Sequence, residues 1–74
     1  MTVWQLFLRH RQGRFDRRDV RHLSSQEISE LADEAARAAD DPVFMQETYG
    51  IQPGPELLTA IHVMRNLSNL LRAT

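Results

Sequence analysis

Apolar residues recur along most of the chain at a spacing near 3.6, the period of helices that bury one face, so the sequence predicts helices throughout and no sheet. The first segment runs from Thr2 to Gln12, with Thr2 able to cap it and Gly13 placed where helices commonly stop. Val3, Leu6, Phe7 and His10 share one face of that helix, while Trp4 and Leu8 fall about 100° round from it. One short helix therefore shows two apolar surfaces. Asp16 is the next N-cap, with Phe15 before it and Val20 four positions in, the pair expected of a hydrophobic staple, which predicts a short helix from Arg17 to Leu23.

The clearest local signal is Leu23-Ser24-Ser25-Gln26-Glu27-Ile28. Ser24 can accept from the Glu27 amide while the Glu27 carboxylate reaches back to the Ser24 amide, and Leu23 and Ile28 form the staple. The helix so begun should reach about Ala39, with Ile28, Leu31, Ala32, Ala35 and Ala39 inside and Glu30, Asp33, Glu34 and Arg37 outside. Its inner side chains are small, which lets another helix approach closely. Asp41 can cap a further turn with Pro42 at the first helical position, and Val43 to Tyr49 reads as a short helix closed by Gly50. Gln52-Pro53-Gly54-Pro55 is the one strong breaker, and a long helix should follow it from Pro55 or Glu56 to about Arg72.

On a wheel of 100° per residue, Leu57, Ala60, Ile61, Val63, Met64, Leu67, Leu70 and Leu71 spread over about 180°, against the roughly 100° stripe that one packing neighbour requires. Either the last helix is central and flanked on both sides by its own chain, or part of the arc meets a partner together with Trp4 and Leu8. The fold expected is an all-α small bundle of four or five helices with a long C-terminal helix, residues 1–74 forming a single helical domain.

Composition narrows this picture. A chain of 74 residues, 42% hydrophobic, has enough apolar material to fold, yet buries only roughly 60% of its unfolded surface, so cover from a partner would help it. It has no cysteine to supply disulfides or thiolate ligands. The early apolar run Val3 to Leu8 is shorter than a signal-peptide core, which makes a cytoplasmic location the default expectation, with no membrane. Net charge is −1 but unevenly spread: residues 1–23 carry +4, residues 24–56 carry −7 and the remainder +2. All nine basic residues are Arg.

Chemistry-bearing residues are few. His10, His22 and His62 lack the short spacing of helix-borne zinc sites; Glu27, Glu30, Asp33 and Glu34 read as a solvated helix face; Ser24 and Ser25 have a capping role. No catalytic, cofactor-binding or metal residue is assigned, and no cofactor is expected. The function expected is that of a small non-enzymatic protein–protein interaction module: an adaptor, an assembly subunit, or a bacterial or phage inhibitor or regulator. Trp4, Leu8, Arg14, Arg17, Arg18, Val63, Leu67 and Leu70 are the expected partner-binding residues. A second copy is the simplest partner, as a homodimer through Val63, Leu67 and Leu70 with Trp4 as anchor. The alternative is a nucleic-acid-binding regulator using the N-terminal Arg cluster, against which stand Asp16, Asp19 and a sequence pI near 6.3.

Overall fold

Short-range capping chemistry decides where most of the helices begin in the computed structural model, which describes residues 1–74. There are four α-helices, α1 (Val3–Arg11), α2 (Ser25–Asp40), α3 (Pro42–Tyr49) and α4 (Pro55–Arg72), and one 3-10 turn at Arg17–Val20, with no strand. Ahead of α1, the Thr2 hydroxyl accepts from the Gln5 amide at 3.2 Å and the Gln5 side chain accepts from the Thr2 amide at 2.9 Å. The same reciprocal pair opens α2, where the Ser24 hydroxyl accepts from the Glu27 amide at 3.1 Å and the Glu27 carboxylate from the Ser24 amide at 3.2 Å. These Ser24 hydrogen bonds favour the ionised carboxylate and hold the Glu27 carboxyl below its ordinary value of 4.5. The Asp41 carboxylate accepts from the Phe44 amide at 3.1 Å, Pro42 takes the first position of α3, and Gly50 ends that helix at φ 69°, a left-handed conformation that only glycine adopts freely.

The core is centred on α4. Met64, Leu67 and Leu71 are fully buried along it, and each such side chain contributes roughly 1.5–3 kcal/mol by leaving water. α2 is the principal neighbour, and its Ala32, Ala35, Ala38 and Ala39 are buried. With so little side chain between the two backbones, the Ser68 hydroxyl on α4 reaches across and donates to the Ala32 carbonyl at 2.8 Å, so the one buried polar side chain is satisfied. Two exposed ion pairs, Arg72 to Asp33 at 2.9 Å and Arg65 to Asp40 at 3.1 Å, span the same pair of helices. Exposed pairs contribute about 0–1 kcal/mol each, so they align the helices more than they stabilise them. Val3, Leu6 and Phe7 of α1 complete the core with Val20 and Met45.

The structure departs from the sequence reading at three points. Arg17 to Leu23 forms a 3-10 turn over Arg17–Val20 instead of an α-helix. The Asp16 cap before it and the extended Ser24 cap after Leu23 leave too few residues to repay helix nucleation, and the segment uses i→i+3 bonds such as Leu23 amide to Val20 carbonyl at 3.0 Å. Ile28 and Leu31, expected inside, are half-buried, while Ala38 takes a fully buried place. On α4, Leu67, expected on a partner-facing flank, is fully buried in the chain's own core. Val63 is half-buried against that core and Leu70 is half-buried beside Phe15, so the wide apolar arc largely serves a helix flanked by its own chain.

Candidate functional site

Two features lie outside the helix packing just described. The first is cationic. Among the six arginines of residues 1–23, Arg9 binds Asp19 at 2.7 Å, and Arg11 lies 5.8 Å from the centre of the Phe7 ring. The two acids of the region have local work: Asp16 accepts from the Arg18 amide at 3.0 Å, and Asp19 both holds Arg9 and accepts from the Asp16 amide at 3.2 Å. The acidic helix α2 spends Asp33 and Asp40 on Arg72 and Arg65 of α4, and Arg37 lies over the Phe44 ring at 4.2 Å. Arg14, Arg17, Arg18 and Arg21 remain exposed, and none of them forms an ion pair. In 3-10 geometry residues three apart eclipse, so Arg18 and Arg21 project on one side. A shallow hollow beside Arg17 is lined also by His10, Gly13, Phe15, Asp16 and Leu70, with the His10 and Phe15 rings edge to face at 6.1 Å.

The second feature is a cleft of about 440 Å³ between α1, the N-terminal turns of α4 and the connection that leaves α3. Trp4, Phe7 and Arg11 form one wall, Pro55, Glu56, Thr59 and Ala60 the other, and Tyr49 to Gln52 close one end. The rings form a ladder: Phe7 and Trp4 lie near-parallel with centroids 5.0 Å apart, and Trp4 and Tyr49 near-parallel at 5.3 Å, both in the range of offset stacking. Tyr49 is fixed further by its hydroxyl, which donates to the Glu34 carboxylate, and by the edge-to-face Phe44 ring at 6.2 Å. Burial first, and then the hydrogen bond and charge of Glu34, push the Tyr49 hydroxyl above its ordinary value of 10.

The expected partner residues are thus distributed among different settings. Arg14, Arg17 and Arg18 are exposed without ion pairs, and Arg17 lines the same hollow as Leu70. Trp4 is half-buried in the ring ladder, and Leu8 is half-buried in a separate hollow beside Gln5 and His22. Val63 and Leu67 face inward. The large apolar side chains that do stand in solvent are others, Val43 at 60% and Leu58 at 64% exposure, with the first residue, Met1. Sequence reasoning missed Arg21 as a fourth free arginine, although its spacing of three from Arg18 was visible. It also missed Tyr49, Gln52 and Glu56 as neighbours of Trp4, because no local spacing links α1 to the end of α3.

The candidate carboxylates of α2 have structural partners: Glu27 caps, Glu30 accepts from Gln26, Asp33 binds Arg72 and Glu34 accepts from Tyr49. The three histidines lie on α1, after the 3-10 turn and on α4. No helix is long and apolar enough to cross a membrane. Compared with known proteins, the chain matches no family model, no curated protein and no solved structure.

Proposed function

We propose that the chain is a non-enzymatic protein–protein interaction module whose contact surface is the cationic end carrying Arg14, Arg17, Arg18 and Arg21, with Phe15 and Leu70 beside it. The observation that supports this is the unpaired state of those four arginines in a chain with ten acidic residues and a net charge of −1. Arg9, Arg65 and Arg72, by contrast, each have an acidic partner within the chain. An acidic protein surface complements the free arginines, and an apolar side chain seated near Leu70 and Phe15 supplies the desolvated contact that charge alone does not. The competing reading, a nucleic-acid backbone, uses the same arginines. It has no use for Leu70.

Reversing Arg17 and Arg18 to Glu tests the proposal. Capture of an acidic protein by the immobilised chain should fall at least tenfold in the variant and weaken as salt rises, while the melting temperature stays within a few degrees, because exposed unpaired charges contribute little to stability. Recovery of DNA or RNA instead of protein, lost in the same variant, would move the nucleic-acid reading to first place. Light scattering after size exclusion separates the two kinds of protein partner: a dimeric mass that the double reversal makes monomeric identifies a second copy as the occupant.

A further inference from the structure

The cleft beside Trp4 carries one charge of each sign, set apart on its two walls. Arg11 stands on the α1 wall and Glu56 on the α4 wall; both are exposed, and neither forms an ion pair within the chain. The lining between them is largely apolar, with Phe7 and Ala60 buried and Trp4 and Ile51 half-buried. On the rim stands the most exposed large apolar side chain of the protein, Leu58, at 64%. It follows the cleft residue Pro55 by three positions on α4, so the two are neighbours on the helix surface. One continuous surface therefore holds an apolar hollow, an apolar knob at its edge, an unpaired base and an unpaired acid.

An occupant that satisfied this surface would bring a knob for the hollow, an acid for Arg11 and a base for Glu56. The same surface turned through a half rotation brings all three. That is the condition for a closed two-fold contact, in which one residue meets a second on the other copy and the second meets the first in return. We propose that the cleft is the contact between two copies of this chain, with Leu58 of each copy seated in the other's cleft and Arg11 of each facing Glu56 of the other. Every interaction then occurs twice, so a single substitution acts twice on the dimer. Arg17 and Arg18 do not line the cleft, and the contact is separate from the cationic end.

Light scattering between micromolar and millimolar concentration should show the full chain passing from monomer to dimer. Trp4 is the only tryptophan, and its indole N–H signal in a proton–nitrogen correlation spectrum should shift over the same range. Leu58→Gln, a change at an exposed position, should weaken the dimer about tenfold or more with the helical circular dichroism unchanged. Arg11→Glu and Glu56→Arg are the decisive pair. In a self-pair of either variant like charges face each other twice, so each alone should associate about tenfold more weakly or worse. Mixed in equal amounts they should dimerise as the unmodified chain does, because the two reversed positions then face each other and so do the two unmodified ones. Arg17→Glu with Arg18→Glu should leave the dimer intact, which separates failure of this proposal from failure of the cationic-end reading. The proposal is overturned by a monomeric mass at millimolar concentration, by a dimer undiminished in Leu58→Gln, or by a mixture no more dimeric than its components. A dimer lost in the Arg17/Arg18 variant overturns it as well and moves the second copy to the cationic end.

Discussion

On α2 the contact with α4 is made by alanines, which face Ser68 and the larger buried side chains of α4; around Trp4 it is made by large rings and charged side chains. Small residues let two helix backbones come close enough for the Ser68 hydroxyl to reach the Ala32 carbonyl. Rings stack on one another but cannot fill a three-sided junction, so the α1–α3 end keeps a cleft of about 440 Å³. Charges follow the same division: α4 arginines are neutralised on α2, whereas those of residues 14–21 are not. The closest helix packing and the unpaired charges thus lie in different parts of the molecule, as expected where surfaces free to bind are drawn from less tightly packed regions.

The comparison is broken most severely on the packed side. Leu67→Asp should unfold the chain, since a domain of 74 residues has about 4–11 kcal/mol in total and an unpaired buried charge exceeds that margin. Loss of the helical circular dichroism signal at room temperature is the measurement. A sharper contrast comes from adding bulk on each side in turn. Ala35→Leu pushes α2 off its close partner and should cost about 1–3 kcal/mol or more, whereas Thr59→Leu, exposed at the cleft, should stay within about 0.5 kcal/mol. Equal losses in urea unfolding would show that the cleft is as tightly packed as the helix pair.

The smallest effect is in pH. Tyr49 is the only tyrosine and the chain has no lysine, so little else titrates near pH 10. Its folded-state value lies above 10, so its stabilising contribution is fully present below pH 10. As pH rises further, the unfolded chain releases the proton that the folded chain keeps, and stability falls. The urea midpoint should therefore decline above about pH 10, and Tyr49→Phe should flatten the decline.

Much of this was legible because it is local. Ser24 with Glu27, Asp41 with Pro42, and Gly50 act over one to three residues, so spacing alone locates the ends of α2 and α3. The 3-10 turn was misread because a staple says where a helix starts, while the room left before the next cap decides whether it propagates. Ser68 was a visible interruption in the apolar arc of α4, and the alanines of α2 were a visible invitation to close approach; that the two meet is tertiary information. The Trp4–Tyr49 stack is of the same kind, joining residues far apart in the chain with no periodicity to announce them.

The connection from Gly50 to Gly54 is exposed except at Ile51, and it carries the one helix on which the whole core is assembled. Every contact α4 makes with α1 and α2 would be reproduced if two chains exchanged that helix, because the partners it needs are identical in each copy. The length of that connection is then what would favour one arrangement over the other. As it stands, its bend at Gly54 returns α4 to its own chain; a connection too short to bend would leave α4 extended and commit the protein to an interlocked pair in which each copy is completed by the other.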